Sequence, residues 1–261
     1  DLRGRIMAFA AQSSNQKLQA LQVVAKMKWR SDDMGNAQVD SPEAFDNVAP
    51  EPTDKRLAFY DVEVFRNLFV VCWKFEDSDV VTKMVNPSAR DIEALLKLRL
   101  VGFFNRRYDN HILYAAYMGY SIEALYRLSQ KIIVAKDGQA MFGEAYGLSY
   151  ADIWDFSSKK QSLKKWQIDL GIHHVENEIP WDEDVPDELI PQIVDYCVND
   201  VNATEAVFED RYQDYVARQI LADLSGLSIN DTTQKHTARI IFGNDRNPQA
   251  SFVYTELDTE F

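Results

Sequence analysis

Two neighbouring stretches, LAFYDVEVF (57–65) and NLFVVCWKF (67–75), are dense in β-branched and aromatic residues and meet at a short turn, Arg66-Asn67. This pattern predicts a β-hairpin. DVVTKMV (79–85) predicts a third strand, RLVGFF (99–104) a fourth and buried one, and GLSYADIW (147–154) a fifth. Helical signals lie between and after them. Ser88 is placed to cap a helix through ARDIEALLKL, and Ser162 to cap one that stops at Gly171. Further helices are predicted from about Asn105 to Tyr117, after Ser121, and from Asp187 to Leu224. Strands first, then strands alternating with helices, predict an α/β fold in which helices cover a mixed sheet.

Upstream of the hairpin the pattern changes. Leu18, Leu21, Val24 and Met27 recur at helical spacing. Residues 1–30 carry Arg3, Arg5, Lys17, Lys26, Lys28 and Arg30 against Asp1 alone. This is either a packing helix or a basic helix that touches nucleic acid or a partner. Residues 31–54 carry seven acids, no base, and Pro42, Pro50 and Pro52, which predicts a linker. The expected organisation is a helical segment over 1–35, a linker over 36–54, a folded domain over 55–224 and an extension over 225–261.

Composition narrows the classes. With 46% hydrophobic residues in 261, one sizeable core is expected and global disorder is not. Cys72 and Cys197 form neither a disulfide framework nor a zinc spacing, which suits a reducing cytoplasm, bacterial or phage-infected. No apolar run has membrane-spanning length and no signal-peptide pattern opens the chain, which begins at Asp1 and reads as a piece of something longer. The formal net charge of −13 argues against broad wrapping of duplex nucleic acid. It leaves room for an enzyme on nucleic acid whose carboxylates hold cations that meet the phosphate.

Three short constellations supply such carboxylates. In Asp61-Val62-Glu63 the strand alternation turns both acids to one face, with Tyr60, Val62 and Val64 on the other. Two adjacent acids on a buried strand repel each other and lose hydration, so a divalent metal is the simplest compensation. On an open strand face they need none. Asn105 and Asp109 are four apart near a helix start, and Tyr196 and Asp200 are four apart on a later helix. Each of these alone also fits an ordinary helix.

In that order, D-x-E on a strand, N-x-x-x-D after a later strand and Y-x-x-x-D on a late helix resemble the DEDD 3′→5′ exonuclease family. The likeness covers roughly residues 57–215 and is to the tyrosine subtype, especially the proofreading domains of phage-type DNA polymerases. The histidine subtype would need His where Asp195 stands. The resemblance implies a ribonuclease-H-like mixed five-stranded sheet and two Mg²⁺ or Mn²⁺ ions. It implies that Asp61 bridges both ions, that Glu63 and Asp200 hold the water-activating one, and that Asp109 holds the second. Tyr196 would orient the attacking water and Asn105 would contact the terminal nucleotide. Val64 and Phe65 would lie near the 3′ end, Phe65 either stacking on bases or serving the core.

The implied substrate is a single-stranded or frayed DNA 3′ end, and the product a nucleoside 5′-monophosphate. Residues 225–261 resemble the join to a polymerase region, an implied partner in the same longer chain. An RNA-trimming nuclease shares the motifs, and a non-catalytic module is the alternative from another class. Asp152 and Asp155, flanking Trp154, fit either support of the metal site or a strand end. Lys164 and Lys165 fit either a phosphate contact or an exposed helix face. None of His111, His173, His174 and His236 has a partner at metal spacing, so all are expected to be surface or structural.

Overall fold

The computed structural model describes residues 56–172, 179–180, 182–245 and 247–251. The predicted N-terminal helix and acidic linker, His173, His174 and the last ten residues lie outside them. Residues up to Val216 belong to one compact unit and those from Ala217 to a second.

The first unit is built on a five-stranded mixed sheet in the order β3-β2-β1-β4-β5. β1 (Leu57–Val64) and β2 (Phe69–Phe75) form the expected hairpin, with Asp61 opposite Cys72 and Glu63 opposite Val70. β3 (Thr82–Val85) extends it antiparallel. β4 (Arg99–Gly102) runs parallel to β1, and β5 (Ala151–Asp152) parallel to β4. This α/β arrangement, with helices on both sheet faces, is consistent with a ribonuclease-H-like fold.

Alternation along β1 separates the two faces. Ala58, Tyr60, Val62 and Val64 enter a core built with α1 (Ala89–Leu96), α2 (Asp109–Tyr117) and α3 (Ile122–Ile133). Phe59, Asp61 and Glu63 take the opposite face, covered by the long α6 (Ile190–Asp210), which packs on β1 and β2. There Phe59 meets Phe208 edge-on at 5.2 Å between ring centroids. A nearly buried ion pair, Lys74 to Glu205 at 2.6 Å, fixes α6 on β2. Asn67 in the hairpin turn holds the backbone of Val185 ahead of α6 through both ends of its amide, at 2.8 and 2.9 Å.

The two predicted serine caps are present, and a third forms at Ser121. Ser88 and Asp91 form a reciprocal capping box on α1, Ser121 caps α3, and Ser162 caps α5 (Leu163–Leu170), which ends in left-handed Gly171. Three boundaries differ from expectation. β4 stops at Gly102 because Phe104 turns left-handed (φ 62°) and a 3-10 turn follows over Asn105–Arg107. Asn105 and Asp109 therefore do not share one helix face: α2 begins at Asp109 itself. The fifth strand shrinks to two residues because Asp152 caps a four-residue helix, α4 (Ile153–Phe156), and so turns the chain out of the sheet. The predicted 187–224 helix breaks at Arg211 into α6 and α7 (Tyr212–Ser225).

In the second unit, α8 (Thr233–Phe242) is capped by Thr232, and its buried His236 meets Ser225 Oγ at 2.8 Å. Among the described residues no helix is long and apolar enough to cross a membrane.

One glycine is fixed by close approach. A Cβ on Gly102 would lie 2.7 Å from Asn105 Cβ and 3.1 Å from Tyr60 Cε1. Gly102→Ala is expected to shift Asn105 and to cost about 1–3 kcal/mol, read as a lowered midpoint in urea unfolding.

Candidate metal centre

Sheet geometry gathers carboxylates that are far apart in sequence. Asp61 and Glu63 stand one pleat apart on β1, and Asp200 reaches them from α6. One oxygen from each lies within 4.8 Å of the others. All three residues are half-buried, and Asp61 Oδ2 is sealed from solvent with no hydrogen-bond partner among the described residues. A buried carboxylate oxygen without a donor is costly unless a cation or a proton meets it.

The electrostatics agree. Burial, then the charges of Glu63, Asp109 and Asp200, push the Asp61 carboxyl well above its usual range. Burial, then Asp200 and Asp109, do the same to Glu63. This donor set of clustered, partly desolvated oxygens fits a hard divalent cation. The group can thus hold a metal ion.

Asp109 lies outside the three-carboxylate group but near enough for its charge to act on both acids of β1. It starts α2 and is 7% exposed. Burial is the main cause that lifts its carboxyl to about 7, against the lowering effect of the nearby backbone of Asp109 itself and of Val62. Tyr196 precedes Asp200 by one turn of α6, and its phenol lies beside the Asp200 carboxylate. Burial and that neighbouring charge hold the phenol protonated.

The other expected contacts are placed differently from the carboxylates. Asn105 is 1% exposed; its Nδ2 donates to Tyr60 Oη at 2.8 Å, and its Oδ1 has no partner among the described residues. Val64 and Phe65 are both buried, Phe65 at 2% exposure. Lys165 pairs with Asp169 on its own helix. His111 is structural: Nδ1 accepts from the Phe142 amide at 3.1 Å, which leaves Nε2 to donate to the Arg106 carbonyl at 3.0 Å.

Supporting residues surround the centre; Gln167, Asn110 and Ser149 among them were not singled out by the sequence reading. Gln167 of α5, 1% exposed, donates Nε2 to Asp200 Oδ1 at 2.9 Å and so fixes that carboxylate from behind. A glutamine at a core position of an amphipathic helix is the only signal it leaves in the sequence. Tyr60, Asn105, Asn110 and Ser149 form a buried polar chain under the centre. Asp152, fully buried, accepts from the amides of Phe104, Arg106 and Trp154, while Asp155 binds the guanidinium groups of Arg106 and Arg107 at 2.6 and 2.8 Å. These two acids shape the turn that delivers Asn105 and Asp109. Burial and then Asp155 raise the Asp152 carboxyl to about 6.

No family model matches the chain, and neither a curated protein nor a solved structure matches it.

Asp61→Asn removes one of the mutually repelling charges. In the metal-free protein it is expected to add roughly 1–2 kcal/mol, or about 2–8 °C in Tm, at neutral pH. The effect carries a pH signature. Carboxyls whose folded pKa is raised stabilise fully below the unfolded value of about 4 and lose that contribution as pH rises through the folded value. For Asp109 that value is about 7. Melting curves of wild type and Asp61→Asn should therefore diverge as pH rises, and Mg²⁺ or Mn²⁺ should close the gap by raising wild type alone. Gln167→Leu is expected to cost about 1–2 kcal/mol, because the Asp200 oxygen loses a buried donor; urea unfolding measures it.

Proposed function

We propose that the chain is a DEDD-type 3′→5′ exonuclease of the tyrosine subtype. It would release nucleoside 5′-monophosphates from single-stranded or frayed DNA 3′ ends with two divalent ions, Mg²⁺ or Mn²⁺. The observation that carries this reading is the convergence of Asp61, Glu63 and Asp200 within 4.8 Å, with the buried Asp61 Oδ2 unpartnered. These three belong to the motifs that carry the family resemblance. The likeness of residues 225–261 to a polymerase join supports a proofreading role within a longer DNA polymerase.

In this reading Asp61, Glu63 and Asp200 would hold one ion, and Asp109 would help to hold the other. When bound, such ions lower the pKa of water and offset charge on the phosphodiester. The chain's own groups supply orientation. Tyr196 stays protonated beside Asp200, so its hydroxyl is a fixed hydrogen-bond partner for the attacking water. Gln167 keeps the Asp200 carboxylate from rotating. Asn105, locked by Tyr60, holds the turn beside the strand end, where its neighbours meet the terminal nucleotide.

A 5′-labelled single-stranded DNA, incubated with Mg²⁺ or Mn²⁺, is expected to give a ladder shortening from its 3′ end. A chelator should abolish it, and Asp61→Ala should reduce it by more than about 100-fold, beyond what loss of a mere supporting contact to a metal ligand produces. A matched RNA strand tests the preference for DNA. A folded protein that cleaves neither strand with either ion would leave a non-catalytic binding module as the better reading.

A further inference from the structure

Phe104 is an exposed aromatic in a conformation that aromatic residues avoid. Its backbone is left-handed, φ 62° and ψ 15°, where glycine and asparagine sit at ease and a bulky side chain is strained. Core packing does not offset that strain, because the residue is 40% exposed. The conformation is imposed from below: Asp152 Oδ1 takes the Phe104 amide at 2.9 Å and Oδ2 the Arg106 amide at 3.1 Å. A strained residue held in place by a buried acid, with its side chain left partly exposed, asks for a functional account.

The surroundings supply one. Trp154, half-buried, stands nearly perpendicular to the Phe104 ring at 5.3 Å between centroids, and Phe103 meets Trp154 at 6.2 Å. The Arg107 guanidinium lies 5.0 Å from the Phe104 ring centre, and Lys160 Nζ lies 5.6 Å from that of Trp154. Arg106 and Arg107 are paired with Asp155, and Lys160 adds a third cation, so three positive groups face two acids here on a chain of net charge −13. It also adjoins the carboxylate centre: Phe104 directly precedes Asn105, and Asp152 is close enough to act on the charge of Asp109. Ring faces with cations beside them suit unpaired bases and their phosphates, without preference for sequence.

We propose that Phe104, backed by Trp154, is a stacking platform for an unpaired nucleobase of the strand whose 3′ end lies at the carboxylate centre, with Arg107 and Lys160 meeting the adjoining phosphates. This rests on the exonuclease reading. It adds a reason for single-strand preference: a base held in a duplex has no free face to offer.

The test uses the whole chain in Mg²⁺ and a 5′-labelled phosphorothioate strand that resists cleavage, beside the same strand made abasic near its 3′ end. Fluorescence anisotropy reads the affinities and thermal melting reads the fold. Wild type is expected to bind the base-bearing strand about fivefold or more tightly than the abasic one. Phe104→Asn should lose that discrimination and melt no lower than wild type, since asparagine accepts the left-handed backbone. Phe104→Tyr should keep the discrimination.

A folded Phe104→Asn variant that still discriminates as wild type does would overturn the platform. A variant that melts well below wild type would make the ring a packing element and overturn it too. Wild type that degrades ordinary DNA yet ignores the missing bases sinks the platform alone. Wild type that neither binds nor degrades either strand sinks the exonuclease reading with it.

Discussion

Repulsion among half-buried carboxylates is the constraint around which the first unit is organised. Asp61 and Glu63 share one strand face, and α6 brings Asp200 against them rather than away. Every element nearby holds that arrangement in spite of its electrostatic cost. The Lys74–Glu205 pair and the Phe59–Phe208 contact fix α6 on the sheet, and Gln167 fixes the orientation of Asp200. A domain free to relax would splay these charges into water. Its packing instead keeps them together, as a site waiting for positive charge must.

A second layer of organisation lies beneath the turn after β4. Asp152 uses both carboxylate oxygens on backbone amides, and Asp155 ties down two arginines from the same turn. Gly102 lets the turn approach Tyr60, and Tyr60 in turn anchors Asn105. The placement of Asn105 and Asp109 is thus decided mainly by residues outside the motif that names them. Substitutions at such supporting positions act on the centre without touching a ligand.

How much of this was legible in the sequence depends on the range of the interaction. The hairpin, the serine caps and the facing of Asp61 with Glu63 follow from alternation and local capping, and all are present. The end of β4 differs from the sequence reading because the Asp152 carboxylate, 48 residues away, accepts from the left-handed Phe104; that of β5 differs because the same carboxylate caps Trp154 two residues on, a local signal that the strand pattern outweighed. Asp61, Glu63 and Asp200 could be nominated from spacing, but their convergence is a tertiary fact. Gln167 and the Tyr60–Asn110 chain were invisible for the same reason: nothing local distinguishes a buried polar partner from an ordinary polar residue.

The pairing of β1 with β2 has one more consequence. Asp61 stands opposite Cys72 and Glu63 opposite Val70, while Tyr60 and Val62 fill the core beneath. A slip of β1 by a single residue would exchange its two faces. Asp61 and Glu63 would then be driven into the apolar interior, and Tyr60 and Val62 would be left on the carboxylate side. The acids therefore act as proofreaders of the fold itself: a misaligned hairpin is expelled by the same charges that a correctly aligned one presents to a cation.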